Sequence, residues 1–130
     1  MSTSETNKRS AVLYVRVASA DKQDQRLGIS EQRAACTREA ERLGTVIADE
    51  YVDAGVSGNS TNRPGLRGLL RRIAERPVRY VIVHDRTRLA RNPADDATIT
   101  QRLDQAGASL VSVENDADAP TAGELLRRAR

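Results

Sequence analysis

The pattern of residues along the chain predicts an α/β fold of three layers, α/β/α, with a mostly parallel central sheet of about four to five strands. Short runs rich in Val, Ile and Leu alternate with segments that carry apolar residues at helical spacing. Gly, Pro, Ser and Asn punctuate the joins. Strands that alternate with helices pair in parallel, so helices should cover both sheet faces and a binding crevice should lie at the strands' carboxyl ends.

The first half of the chain supplies two strands and a helix. Residues 11–17 form a β-rich run of buried-strand length and are followed by polar residues. A helix is predicted from Ser30, as its N-cap, to Gly44, as its terminator. Residues 45–52 predict the second strand, and the loop over 53–62, rich in Gly, Ser and Asn, is a candidate site.

The second half repeats the alternation. Pro64 is placed to begin a helix, which Pro77 closes. Residues 80–84 and 109–113 predict the third and fourth strands, with a helix between them that ends at Gly107. The residues expected to face the core from these two helices are Leu66, Leu69, Leu70 and Ile73, then Ile99, Leu103 and Ala106.

The composition indicates one domain. A chain of 130 residues suits a single core, and the lack of Phe and Trp requires that core to be aliphatic. We expect a disordered tail over residues 1–10, the domain over 11–122, and the start of a truncated helix over 123–130. No apolar run spans a membrane and no signal peptide is visible, so a cytoplasmic protein without membrane association is expected.

Charge and cysteine content narrow the class further. The net charge is +3, and Lys8 and Lys22 are the only lysines among 21 basic residues. Arginine binds phosphate bidentately, so a polyanionic partner is one interpretation and solvated helix faces are the other. Cys36, the single cysteine, is expected to be a reduced, packed thiol. Neither a phosphate-binding glycine motif nor a metal-ligand set around the single histidine, His84, is present, so no cofactor and no metal are expected.

Arginines and polar residues should meet where the predicted strands end. Phosphoryl transfer spreads negative charge over oxygens that positioned guanidinium groups stabilise without a metal. The sequence therefore predicts an arginine-rich phosphate pocket. Its members are Arg16, Arg63, Arg88 and Arg91, with Ser19, Gln32, Asp53, Ser57 and Thr87.

Motifs that recur in order along residues 11–125 resemble the catalytic domain of the resolvase and invertase family of serine site-specific recombinases. They are Tyr14-Val-Arg16-Val-Ala18-Ser19, Gly28-Ile-Ser-Glu-Gln32, Tyr51-Val-Asp53-Ala-Gly-Val-Ser57-Gly58, Arg63-Pro-Gly-Leu66 and Arg88-Leu-Ala-Arg91-Asn92. The resemblance implies a serine that attacks a DNA phosphodiester, forms a 5′-phosphoserine link and leaves a 3′ hydroxyl, without metal or nucleotide. It also implies a homodimer that assembles to a tetramer on DNA in the full-length protein.

The same resemblance implies roles for single residues. Arg16, Arg63, Arg88 and Arg91 would bind the phosphate and stabilise the transition state. Tyr14 and Gln32 would line and order the site. Alternatively, Tyr14 is a plain packing residue of the strand and Gln32 is an exposed residue of the helix. Asp53 and Ser57 would position the leaving group or the phosphate, or else cap the loop.

Two positions depart from the family pattern. Ala18 stands where the attacking serine is expected, and a methyl group cannot attack phosphorus. Ser19 is adjacent, but along a strand it would point to the opposite face. Thr87 stands where an aspartate is common.

A deliberate serine-to-alanine change would place alanine at position 18, and so would natural loss of the nucleophile. The chain is thus expected to be inactive, and a silent DNA-associated assembly or regulatory module is the alternative function.

Overall fold

The computed structural model describes residues 9–18, 22–55, 63–89 and 93–114. Strands and helices alternate through all of them, as predicted, with one 3₁₀ turn added at Arg86–Arg88. The elements are β1 (Ser10–Val17), α1 (Lys22–Arg42), β2 (Val46–Ala54), α2 (Pro64–Glu75), β3 (Tyr80–Val83), α3 (Pro93–Gln105) and β4 (Ser109–Ser112). None of the helices in these ranges is both long and apolar enough to cross a bilayer.

The strands form one sheet in the order β2-β1-β3-β4, and every neighbouring pair is parallel. β1 is an inner strand and all eight of its residues are buried. This explains why residues 11–15 are a continuous run of apolar and aromatic residues, because a strand covered on both faces has no solvent-facing side. The predicted parallel sheet is confirmed.

Helices pack on both faces of the sheet, which confirms the three-layer architecture. Ala11 and Leu13 of β1 belong to one apolar cluster with Cys36 of α1. Val12 and Tyr14 belong to another cluster, which holds the buried residues of α2 and α3. Successive side chains of a strand point to opposite faces, so β1 contributes to both cores.

The predicted apolar positions of these two helices are buried except Ala106, which follows α3 and packs half-buried against the core. The α2 residues Leu66, Leu69, Leu70 and Ile73 all lie in the core, as do Ile99 and Leu103 of α3. Burial also raises the pKa of the Cys36 thiol to about 12, which fits the expected packing role.

The helix start predicted at Ser30 is wrong. α1 begins at Lys22, so Ser30 lies inside the helix, although Gly44 does end it with a φ of 71°. Gly28 lies within α1, and a Cβ there would lie 2.7 Å from Cγ1 of Val17. The glycine therefore allows the helix to approach β1 closely, and its weak helix propensity is outweighed by this packing.

The ends of β1 and β2 differ slightly from the predicted ones. β2 extends to Ala54, so Asp53 lies on a strand and not in the loop that follows. β1 begins at Ser10, one residue inside the predicted tail. Residues 1–8 of that tail and the predicted truncated helix at 123–130 lie outside the described residues, and these domain boundaries stay predictions.

Candidate active site

The site lies where the order of the strands reverses. The chain passes from β1 to β2 on one side and then to β3 on the other side of β1. The connections that leave β1 and β3 diverge there, and such switch points form the ligand crevice of open α/β sheets. Ala18 follows β1 at this edge, and the 3₁₀ turn Arg86–Arg88 follows β3.

Arg16 reaches from β1 to the 3₁₀ turn. Its side chain is buried, with only 3% of the residue exposed. Nε donates to the carbonyl oxygen of Arg88 over 3.0 Å, and Nη2 donates to that of Thr87 over 2.8 Å. The guanidinium is therefore held in one orientation against the backbone of the turn.

Arg63 and Arg88 converge on the same place. Arg63 is 4% exposed and donates from Nη1 to the carbonyl oxygen of Arg88 over 3.3 Å. Arg88 in turn donates from Nη1 to the carbonyl oxygen of Arg16 over 3.3 Å. Three of the four predicted arginines thus meet around one turn. The fourth, Arg91, lies outside the described residues, as do Ser19 and Ser57.

Gln32 of α1 forms hydrogen bonds with the backbone near the end of β1. It is 4% exposed, so the alternative of an exposed helix residue does not apply. Its Nε2 donates to the carbonyl oxygen of Arg16 over 3.1 Å, and its Oε1 accepts from the Arg16 amide over 3.4 Å. Gln32 thereby orders the backbone that carries Arg16.

Asp53 caps the amino end of α2. Its carboxylate accepts from the amides of Gly65 and Leu66 at 2.7 and 3.0 Å. A Cβ on Gly65 would lie 2.8 Å from the Val52 carbonyl oxygen and 2.9 Å from the Asp53 carboxyl, so glycine permits this approach. Arg63 makes no side-chain cap of its own, and Asp53 supplies it from a strand. Asp53 therefore caps helix α2 and not the loop, and its role toward the leaving group or the phosphate stays a prediction.

Tyr14 completes the environment of that carboxylate. Its hydroxyl donates to Oδ2 of Asp53 over 2.7 Å. Burial raises the pKa of Tyr14 well above its usual value, and the hydrogen bond to Asp53 and the charge of Asp53 raise it further, against the opposing charges of Arg63 and Arg16. Tyr14 stays protonated and acts as a donor.

Asp85 was not among the predicted site residues. It caps the 3₁₀ turn by accepting from the Thr87 amide over 3.0 Å, and the Thr87 hydroxyl donates to the same oxygen. Its other oxygen lies 3.4 Å from Nε of Arg88. Burial alone would raise the pKa of Asp85, but the hydrogen bonds from Thr87 and His84 and the charge of Arg88 hold it below its usual value. An Asp two residues before a Thr is a local capping signal that the sequence did contain.

His84 joins two carboxylates. Nδ1 lies 3.1 Å from Asp85 and Nε2 lies 3.6 Å from Glu114, so the three residues form the group of donor atoms that comes nearest to a metal-ligand set among the described residues. The carboxylate of Asp85 is already engaged by Thr87 and Arg88. The three side chains therefore form a polar network beside the turn.

Ala18 is exposed and comes two residues after Arg16, directly beyond β1. It offers only a methyl group at the carboxyl end of the strand that carries Arg16. A parallel α/β sheet with the buried guanidinium groups of Arg16 and Arg63 at its switch point defines an α/β domain with a cationic site suited to an anion.

The family model described as "Resolvase, N terminal domain" matches residues 11–130. The chain therefore belongs to the resolvase family of serine recombinases, whose general function is site-specific recombination. A comparison with curated proteins gives no match.

Solved structures show the same fold. The N-terminal catalytic domain of TP901-1 integrase matches with a TM-score of 0.74 and 26% identity, over 81% of this chain and 78% of that one. The C-terminal catalytic domain of ISC1926 TnpA, an IS607-like serine recombinase, has a TM-score of 0.72 and 28% identity, over 92% and 77%. A resolvase family site-specific recombinase from Streptococcus pneumoniae has a TM-score of 0.71 and 28% identity, over 94% and 83%.

Proposed function

We propose that this domain serves an enzyme that cleaves and rejoins DNA at specific sites through a 5′-phosphoserine intermediate. The observation that carries the proposal is the convergence of Arg16, Arg63 and Arg88 on one turn at the switch point. Arg91, three residues beyond Arg88, is proposed as a fourth phosphate ligand. DNA is the substrate, and no metal or small-molecule cofactor is part of the proposal.

The chemistry requires a hydroxyl at position 18. A serine Oγ attacks phosphorus and loses its proton, the bond from phosphorus to the 3′ oxygen breaks, and that oxygen takes up a proton. Religation reverses these steps with the 3′ hydroxyl of another strand. The guanidinium groups stabilise the charge that grows on the non-bridging oxygens. The described contacts of Arg63 and Arg88 use only part of the five N–H donors that each guanidinium carries.

The chain with Ala18 is proposed to hold the phosphate without cutting it. The test compares the chain with its Ala18→Ser variant on a DNA that is nicked near the cleavage site, with the covalent adduct measured by mass spectrometry. We expect a 5′-phosphoserine adduct at position 18 of the variant only. The matched control, Ala18→Ser combined with Arg88→Gln, should lose the adduct by about a hundredfold or more.

A second candidate function is a silent DNA-associated assembly or regulatory module. Ala18 favours it, because such a module needs the fold and not the nucleophile. An Ala18→Ser variant that binds DNA but never forms an adduct would support this module and contradict the enzyme. An adduct on Ser19 of the unchanged chain would contradict both inactivity and the expected misdirection of Ser19.

Assembly follows from the same proposal. The full-length protein is proposed to be cytoplasmic and to act as a homodimer that pairs into a tetramer on DNA. The chain by itself should be monomeric or loosely dimeric and should bind DNA weakly. Sedimentation velocity at several concentrations measures the first point, and a stable tetramer of the isolated chain would contradict it.

A further inference from the structure

The arginines of α2 divide into two groups with different surroundings. Arg72 is largely buried at its side chain and pairs with Asp49 of β2 over 3.1 Å. Arg67 and Arg71 are exposed, and neither forms an ion pair with any part of the chain that the structure describes. No acidic residue lies in the first turn of α2. The two exposed arginines, the α2 arginine pair, therefore have no evident part in holding the fold.

The α2 arginine pair continues from the site along the helix. The Arg67 amide donates to the carbonyl oxygen of Arg63 over 3.0 Å, so Arg67 lies one turn beyond the buried site arginine. At a rise of about 1.5 Å per residue, Arg67 and Arg71 stand about 6 and 12 Å along the axis from Arg63. Each step of four residues rotates by only about 40°, so the residues stay on neighbouring flanks.

The direction in which the Arg67 and Arg71 side chains extend also brings them toward the arginine cluster. Long side chains on a helix lean toward its amino end, which in α2 is the end at the arginine cluster. Arg67 and Arg71 are also like charges four residues apart, an arrangement that costs an isolated helix about 0.2–0.5 kcal/mol. An anion with several regularly spaced charges would relieve that repulsion.

We propose that Arg67 and Arg71 bind backbone phosphates of the DNA strand that flank the phosphate held by the site. This rests on the proposed function, which places the reacting phosphate at Arg16, Arg63 and Arg88. Phosphates of one strand recur about every 3.4 Å along the duplex axis, so a 12 Å track spans about three of them. Such contacts set the position of the duplex and carry no sequence information.

The salt dependence of DNA binding tests the proposal. The full chain and its Arg67→Gln/Arg71→Gln variant are titrated against a fluorescent duplex by anisotropy over a series of low salt concentrations. Each phosphate contact contributes about 0.9 to the slope of log K against log salt. The double variant should therefore lower the slope by about 1.8, for any duplex sequence.

The control removes the same charge elsewhere. Arg38 on α1 and Arg102 in the last turn of α3 are exposed, so Arg38→Gln/Arg102→Gln should leave the slope unchanged within about 0.3. An equal loss of slope in both double variants would show a general charge effect and overturn the proposal. An unchanged slope in the Arg67→Gln/Arg71→Gln variant, or no binding by the unchanged chain at low salt, would overturn it as well.

The outcome is separable from that of the adduct experiment. An adduct in the Ala18→Ser variant together with an unchanged slope leaves the proposed function standing and removes the α2 arginine pair from the DNA contact. A lowered slope without an adduct supports the DNA contact of the α2 arginine pair and contradicts the proposed cleavage function. Circular dichroism of both double variants checks that the fold is retained.

Discussion

Replacing Tyr14 by phenylalanine removes one oxygen atom from the most enclosed part of the site. The Tyr14 hydroxyl donates to Asp53 over 2.7 Å, and both residues are almost completely buried. The ring fills the same space after the change, so no cavity is created. The effect therefore isolates a hydrogen bond to a buried carboxylate.

The expected loss follows from the kind of bond. Hydrogen bonds to charged groups contribute about 1.5–3 kcal/mol to the free energy of unfolding. Asp53 keeps the Gly65 and Leu66 amides as donors, so the carboxylate is not left without partners. We expect a loss of about 1.5–3 kcal/mol, which for a domain of this size corresponds to a fall in Tm of about 6–12 °C.

Urea unfolding followed by circular dichroism at neutral pH measures the change. Tyr51→Phe is the matched control, because Tyr51 pairs with Tyr14 in the register of β1 and β2, and its hydroxyl forms no hydrogen bond within the described part of the chain. It should cost less than about 0.5 kcal/mol. A Tyr14→Phe variant as stable as the Tyr51→Phe variant would refute the assigned role of the hydrogen bond.

Two further predictions concern the helix and the turn that border the site. Gly65→Ala should destabilise the protein by about 1–3 kcal/mol in the same urea assay, because its Cβ would lie 2.8 Å from the β2 backbone. Gly68→Ala would meet only Tyr51 at 3.5 Å, so it should be neutral or stabilise the protein by about 0.5–1 kcal/mol. Equal effects of the two substitutions would contradict this packing. Because the pKa of Asp85 is held below its usual value, its contribution to stability is complete above the unfolded pKa of about 3.9 and is lost as the pH falls through the lower folded pKa. The stability difference between the protein and Asp85→Asn should therefore shrink between about pH 5 and pH 2, and a difference independent of pH would argue against a charged cap.

Local patterns predicted most of the architecture because they report directly on burial. The stripe from Leu66 to Ile73 has helical period and lies in the core, and the apolar run that became β1 is buried along its whole length. The start of α1 was mispredicted because Ser30 has the residue type of an N-cap, whereas Gly28 packs closely against Val17 from inside the helix. Such a contact joins different elements and leaves no trace in local composition.

The site shows the same division. Arg16, Arg63 and Arg88 were predicted as one cluster because parallel strands end at one edge of the sheet. The capping of α2 by Asp53 and of the 3₁₀ turn by Asp85 was not predicted for those ends, because it depends on which backbone amides lie within about 3 Å of each carboxylate.

The sequence by itself determined the alternation of strands and helices, the family resemblance, and the alanine at position 18. Each of these is carried by residue identity and short-range spacing. Only the tertiary structure decided that Arg16 and Arg63 donate hydrogen bonds to the carbonyl oxygens of the turn. It also decided that Gln32 donates to the backbone near the end of β1. These bonds join residues far apart in the chain, and their geometry exists only once the sheet has brought β1 and β3 side by side.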